Sequence, residues 1–483
     1  MWALWVTVAL GSPVDIYGFG AQMMGRGLGG VAIGGNVADL VNNPASLQQL
    51  VQPDFQLGFH ILRSSFEPTG PVRWDTNVDG KIDDSDPPYQ PNVDYPRADG
   101  FSIGLGRPIG KRFGLGIVAF IPRDRLLRVH TFEPSLPRYF MYDNRPNTYY
   151  MALGFGFEQL NGFSIGGAIE LSAKARYQLS STLRATLNNS ESDDLDLSDV
   201  SRVELDIHEM TLELASDYAP VASIMLTPGE WIEPLRGLQL GVVYRGATGL
   251  PVDVDIDLQI DAGTEDFGEL GDLSLSALTP FKLSVFDHYV PARLSLGVAY
   301  QVQDFLLMYV DGRWTQWSKM TVNIAQVTDG HIDAPLLSQS TIPIEDSNEY
   351  ILKTRDIWDL KMGLELHLPD FGFGKDIGSL QPVFRGGYAR TPSVIDSIGP
   401  NVALMDTARA SYTVGAGIIQ RSPFGWLQGP ITWDMYMQWH TLLASQLTVA
   451  YSDSYSPGAP IDGADLIMSG QLRAGGFQLR LNY

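Results

Sequence analysis

The stretch DTNVDGKIDDSD, residues 75–86, carries side-chain oxygens at its first, third, fifth, ninth and twelfth positions: Asp75, Asn77, Asp79, Asp83 and Asp86, with Gly80 sixth. A hard cation such as calcium takes six to eight oxygen ligands, and this is the spacing at which a twelve-residue loop supplies them; Lys81, seventh, adds its backbone carbonyl. Such loops usually join two helices. Here the flanks SSFEPTGPVRW and PPYQPNVDYPRAD have no helical pattern, and Pro87 biases Asp86 away from the helical conformation. The spacing predicts a structural calcium ion held by one loop, with an ordinary acidic, solvated loop as the alternative.

Other reactive groupings are sparse. The chain has no cysteine, which excludes disulfides and thiolate metal sites, and its seven histidines are scattered. No nucleophile elbow, zinc-protease helix motif or phosphate-binding loop is present, so no enzymatic activity is expected. A formal charge of −22 argues against a nucleic-acid partner.

The elements that must position the acidic loop are strands. Fifty glycines and 11% aromatics favour sheet over helix. In WDLKMGLELHL, Trp358, Leu360, Met362, Leu364 and Leu366 alternate with Asp359, Lys361, Glu365 and His367. ITWDMYMQWH repeats the pattern, with Ile431, Trp433, Met435, Met437 and Trp439 opposing Asp434, Gln438 and His440. Runs of about ten alternating residues have the length a tilted strand needs to cross a bilayer, with the polar face lining a lumen. Short turns (RPIGKR, EQLNG, QVQD) alternate with long polar segments near 66–98, 132–147, 184–200, 262–285, 327–348, 395–410 and 451–463. That layout predicts an all-β protein, a transmembrane antiparallel β-barrel of about 14 strands, in the outer membrane of a Gram-negative cell. The calcium loop then belongs to the first long external loop. Residues 1–11 resemble the apolar part of an export signal, residues 12–50 precede the first strand, and 51–483 form the barrel. Phe477, Leu479, Leu481 and Tyr483 share one face of the last strand, while Leu466, Met468 and Leu472 have the opposite parity, which predicts a bulge near Gly475–Gly476.

The glycine-rich segment YGFGAQMMGRGLGGVAIGGNVADLVNNPASLQQL contains Ala38-Asp39-Leu40 and then Asn43, Pro44 and Ala45. Together with Pro291, Gly297, Tyr300, Asp304, Trp314 and Trp317, and with FRGGYARTPSV and ARASYTVGAG further on, it resembles the FadL/TodX family of outer-membrane transporters for long-chain fatty acids and other hydrophobic compounds. The resemblance implies that residues 12–50 form a hatch, or plug, inside the lumen. It implies passive uptake of a hydrophobic ligand through an internal apolar pocket and a lateral opening, by a monomer surrounded by outer-membrane lipid and lipopolysaccharide. It also implies a kinked third strand, for which Gly114, Gly116 and Pro122 are candidates, since proline cannot donate to a ladder. Pro122 ending the strand at the outer rim is the equally open alternative. Loop residues suited to ligand capture are Leu136, Tyr139, Phe140 and Met141, and Leu273, Leu275, Leu278 and Phe281; packing among themselves is the plainer use for both groups. Arg123, Arg125 and Arg128 are candidate partners for a ligand carboxylate. Asp253, Asp255 and Asp257 alternate with apolar residues and are expected on a lumen-facing strand. The alternative function is a hatch-occluded structural or adhesive surface barrel.

Overall fold

The structure, a computed structural model, describes residues 13–67, 97–123, 137–142, 149–187, 200–247, 252–264, 273–285, 290–320, 326–327, 331–333, 341–343, 352–372, 378–399, 402–421, 429–449 and 464–483. The calcium-loop residues 75–86, the signal-like segment 1–11, Leu136, Arg125 and Arg128 lie outside them.

Fourteen antiparallel strands close into one barrel: β1 (Asp54–Phe66), β2 (Gly100–Ile109), β3 (Phe113–Pro122), β4 (Tyr150–Leu160), β5 (Phe163–Leu187), β6 (Val200–Leu226), β7 (Leu238–Arg245), β8 (Arg293–Val302), β9 (Leu306–Thr315), β10 (Ile357–His367), β11 (Ser379–Thr391), β12 (Arg409–Arg421), β13 (Ile431–Val449) and β14 (Ala464–Asn482). Each pairs with its neighbours in order, and β14 closes on β1 from Asp54↔Asn482 to Phe66↔Gly470. Closure leaves no sheet edge with unpaired backbone groups, which is what allows strands to sit in hydrocarbon.

Alternation decides which face each residue takes. Trp358, Leu360, Met362 and Leu364 on β10, and Trp433, Met435, Met437 and Trp439 on β13, are exposed outside; Asp359, Glu365, Asp434, Gln438 and His440 are buried inside. An apolar outer belt around a polar interior is the signature of a membrane-spanning barrel of the outer-membrane class. No described helix is long and apolar enough to cross a membrane.

The interior is filled by the N-terminal hatch. It comprises α1 (Pro13–Tyr17), α2 (Ala21–Gly25) and two 3-10 turns, Val37–Val41 and Pro44–Gln49. Asn36 caps the first turn in a capping box with Asp39. Asn43, held extended (φ −154°, ψ 102°) before Pro44, caps the second through its side chain and the Ala45 N–H.

Two sequence expectations need correction. No bulge exists at Gly475–Gly476: β14 keeps register with β1 throughout, and Leu466, Met468 and Leu472 point into the lumen, whose outer part is apolar. The segment with Asp253, Asp255 and Asp257 is not part of the wall; Val252–Thr264 pairs with Leu273–Val285 and, in parallel, with Gln178–Leu187, the far part of β5. Leu273, Leu275, Leu278 and Phe281 lie on the second of these strands, within the connection between β7 and β8.

Candidate functional site

The hatch meets the wall through backbone-level contacts and buried polar groups. A Cβ at Gly116 would lie 2.9 Å from Leu47 Cδ2, and one at Gly156 would lie 2.8 Å from the Ala45 and Pro44 carbonyl oxygens. At Gly114, Gly241 and Gly363 it would overlap the carbonyl oxygens of Leu47, Val31 and Arg26 outright. Glycine at these inward positions removes the side chain where the hatch chain runs against the wall.

Lumen side chains then satisfy hatch backbone groups. Tyr309 donates its hydroxyl to the Arg26 carbonyl (2.7 Å) and accepts the Gly29 N–H (3.0 Å). The Asp311 carboxylate accepts the N–H groups of Gly30 (2.5 Å) and Val31 (3.1 Å), and Lys361 donates to the Leu28 carbonyl (2.9 Å). Gln438 donates to the carbonyls of Tyr17 (2.8 Å) and Met24 (2.9 Å), and Ser223 Oγ accepts the Ala45 N–H (2.9 Å). Arg26 pairs with Asp39 at 3.0 Å and lies 3.7 Å from Glu365; Arg385 binds Glu365 (2.5 Å) and Asp434 (2.7 Å). The buried charges are thus paired, the condition under which they are tolerated in an interior.

On the outer side of the hatch the lumen turns apolar. Residues 138–142 dip inward: Tyr139 stacks on Phe66 with ring centroids 4.3 Å apart and accepts the Ser469 N–H (2.8 Å). Arg138 bridges to Leu404, and Phe140 packs with Trp317, Ile357, Val394 and Leu404. Tyr139 and Phe140 are fully buried, so of the two uses open to them in the sequence they serve packing.

Between these layers lies a chamber. Its apolar wall includes Ile16, Met141, Tyr142, Val290, Trp317, Ile357 and Val394; its polar wall includes Asp15, Arg293, Arg313, Thr315, Asp359, Asp406 and Arg409. A second, more polar chamber adjoins it, lined by Asp15, Asn42, Glu170, Arg245, Arg293, Asp311, Arg313 and Lys361. Asp15, Arg293 and Arg313 belong to both. Asp15 on α1 is ion-paired with Arg293, and Arg313 with Asp359.

Five buried atoms of residues lining the two chambers have no hydrogen-bond partner among the described residues: Arg293 Nε, Asp311 Oδ1, Thr315 Oγ1, Asp359 Oδ1 and Arg409 Nε. Unpartnered buried donors are costly unless something in the cavity uses them. Burial raises the Asp15 carboxyl, but Arg293, Arg313 and Arg245 outweigh it and hold the group below the usual carboxylate range. Asp406 goes the other way: burial pushes it to about 6 against the Val394 N–H (2.7 Å) and Arg409.

The sequence-derived candidates distribute unevenly over this site. Asn43, Pro44 and Ala45 anchor the hatch; Met141 lines the chamber. Gly114 and Gly116 face the hatch. Pro122 is the final residue of β3, opposite Gly100, and the ladders of β3 with β2 and with β4 are unbroken in register. The kink expected at Pro122 is therefore absent; at a strand end its missing N–H interrupts nothing. Arg123 sits at the rim, 3.8 Å from Asp99, instead of in the chamber. The chamber arginines Arg293, Arg313 and Arg409 were missed by sequence reading, although each has the inward parity of its strand.

No family model matches the sequence, and no curated protein sequence matches it. Solved structures do. A FadL homologue from Pseudomonas aeruginosa aligns over 99% of both chains at 15% identity with a TM-score of 0.56. The P. putida toluene transporter TodX (12% identity, TM-score 0.49, 97% of this chain and 99% of that one) and the CymD monoaromatic hydrocarbon channel (13%, 0.47, 96% and 97%) are also similar. The chain is a hatch-plugged outer-membrane barrel. Its fold is that of the FadL-type barrels, as the N-terminal segment and the tryptophan-bearing strand suggested.

Proposed function

We propose that this barrel takes up hydrophobic molecules across the outer membrane by a passive, hatch-controlled route, and that long-chain carboxylic acids suit its chamber best. The observation that carries the reading is an apolar chamber inside the lumen, directly on the outer face of the hatch, with Arg293, Arg313 and Arg409 in its polar wall. An apolar pocket with a few convergent polar groups is the usual form of a small-molecule site. The solved structures of similar fold include transporters of toluene, a neutral ligand. The guanidinium groups of Arg293, Arg313 and Arg409 in the polar wall favour an anionic end in this chain, because an anion accepts strongly from guanidinium.

A ligand entering from outside exchanges water for the chamber wall. Movement of the hatch then opens the way onward. Since β3 is continuous, a sideways exit to the bilayer requires hatch displacement from Gly114 and Gly116 together with parting of a ladder beside β3. Calcium on Asp75, Asn77, Asp79, Lys81, Asp83 and Asp86 is proposed to order the first outer loop over the mouth, a structural role consistent with the weak affinity, about 10⁻⁴–10⁻³ M, of extracellular sites of this kind.

Uptake of radiolabelled laurate by cells producing the wild type, Val394→Asp or no barrel tests the reading. Uptake should require the barrel and fall in Val394→Asp, whose carboxylate sits in the apolar wall. Equal uptake in all three strains refutes it.

A further inference from the structure

We propose that the seam where the barrel closes carries a binding site for a phosphate of outer-leaflet lipopolysaccharide, held on the outside of the wall between Arg63 of β1 and Arg473 of β14. The site is separate from the chamber and does not depend on what the chamber holds.

The register of the seam brings the two arginines together. Arg63 and Arg473 are direct partners in the antiparallel ladder, and both have the outward parity of Phe59 and Phe477, whose ring centroids lie 6.2 Å apart on the same face. The Arg63 side chain is 39% exposed, and Arg473 is exposed. Like charges directly opposite one another destabilise a sheet. The protein does little to relieve this pair. Asp99, just before β2, lies 3.6 Å from Arg63 but is shared with Arg123 at 3.8 Å. Arg473 donates to Gln471 (3.0 Å), and no carboxylate among the described residues pairs with it.

The height of the pair is that of the outer interface. Along the seam the outward pairs run Phe59↔Phe477, Ile61↔Gly475, Arg63↔Arg473 and Ser65↔Gln471, from apolar through cationic to neutral polar. Tyr483, exposed, marks the short-turn end of β14. The strand from Tyr483 to Arg473 rises about 26 Å, at about 3.4 Å per residue and a tilt of about 40°. That matches the apolar band of such a barrel, about 25 Å tall with aromatic residues at both rims. Trp439 of β13, the ladder partner of Arg473 on its other side, is exposed at the same level and supplies the outer aromatic.

At this level the outer leaflet presents the phosphorylated disaccharide of lipopolysaccharide. A phosphate accepts from two guanidinium groups at once, and its charge turns their repulsion into shared attraction. Because the pair spans the first and last strands, the lipid also fastens the junction that closes the barrel.

The test uses the full-length barrel in detergent as wild type, Arg63→Gln, Arg473→Gln and, for comparison, Arg107→Gln, which removes an exposed arginine near the short-turn end of β2. The probes are bisphosphorylated lipid A, the same lipid without its phosphates, and dioleoylphosphatidylglycerol. Binding is read by native mass spectrometry and stability by thermal melting. Phosphorylated lipid A should bind the wild type and Arg107→Gln at least about tenfold more tightly than it binds Arg63→Gln or Arg473→Gln, the scale of one charge-assisted hydrogen bond. Removing its phosphates should cost the wild type as much. Arg473→Gln leaves the Arg63–Asp99 contact in place, so without lipid it should melt no lower than the wild type, and lipid A should raise the melting temperature of the wild type but not of this variant. Equal binding of phosphorylated lipid A to all four proteins overturns the site. Phosphatidylglycerol binding as tightly as lipid A overturns the assignment to lipopolysaccharide.

Discussion

Gly363 is the position at which the hatch and the wall come closest, and substituting it should separate them. Its backbone is pinned on both sides, opposite Tyr309 in β9 and Gly387 in β11. In Gly363→Val the new Cβ would overlap the Arg26 carbonyl oxygen and lie 2.8 Å from its carbonyl carbon and 2.7 Å from Tyr309 Cε1, against 3.4 Å for ordinary contact. A strand held by two ladders in a closed barrel yields less than a docked loop, and valine itself suits a strand. The Arg26–Val31 loop must therefore retreat by on the order of an ångström, with overpacking of about 1–3 kcal/mol. Retreat also strains the Tyr309 and Lys361 bonds to the Arg26 and Leu28 carbonyls, each worth about 1 kcal/mol or more. A combined loss of about 4 kcal/mol raises the undocked fraction of this loop by roughly a thousandfold. Hydrogen exchange of amides 26–31 reports the undocking, and swelling of proteoliposomes in a small sugar reports any water path it opens. Both should rise in Gly363→Val and stay at the wild-type level in Gly372→Val, since a Cβ at Gly372 meets nothing within 4 Å. Wild-type protection in a correctly folded Gly363→Val barrel would refute the view that glycine contacts seat the hatch.

Three further outcomes are expected. Tyr309→Phe removes the donor to the Arg26 carbonyl and the acceptor of the Gly29 N–H without changing shape, so hatch protection at residues 26–30 should fall by about 1–3 kcal/mol, checked by native-state exchange; unchanged protection counts against the anchoring role. The folded-state pKa of Asp406, about 6, lies above its ordinary 3.8, so its contribution to stability is fully present below about 4 and is lost as pH rises through 6. In the same window its new negative charge competes for Arg409: an alkyl sulfonate, charged throughout, should bind more tightly at pH 5 than at pH 7.5, dodecanol equally at both, and Asp406→Asn should abolish the difference. Chelation of calcium should increase proteolysis around residues 75–86 and lower thermal stability, and Asp79→Ala should reproduce both effects; if neither treatment changes either readout, the loop is only acidic and solvated.

The barrel was legible because its signal is repeated and local. Each crossing strand states its own parity, so Trp358 through Leu366 and Trp433 through Trp439 reveal their outward and inward faces without reference to any partner. The Asn43-Pro44 step was legible for a similar reason, since the conformational bias of a residue before proline is local. The chamber was not. Arg293 and Arg313 share one hairpin, but Asp15 and Arg409 lie far from it in sequence, and only barrel closure and the path of the hatch bring all four together. Apolar residues at inward positions misled in another way: Leu466, Met468 and Leu472 violate the expected polar lumen, and a bulge was the local explanation, whereas the apolar packing of the outer lumen is a tertiary one. Pro122 shows the limit of a residue rule taken without register, since the same proline interrupts a ladder in its middle and is harmless at its last residue.

The central claim is that the chamber on the outer face of the hatch holds an apolar molecule with an acidic end. Native mass spectrometry of barrel extracted gently from cells, without added ligand, tests it most directly. The wild type should carry an adduct that dissociates as an aliphatic carboxylic acid, and Val394→Asp should have lost it. A wild-type barrel that carries no such adduct, and acquires none when laurate is supplied, would contradict the account.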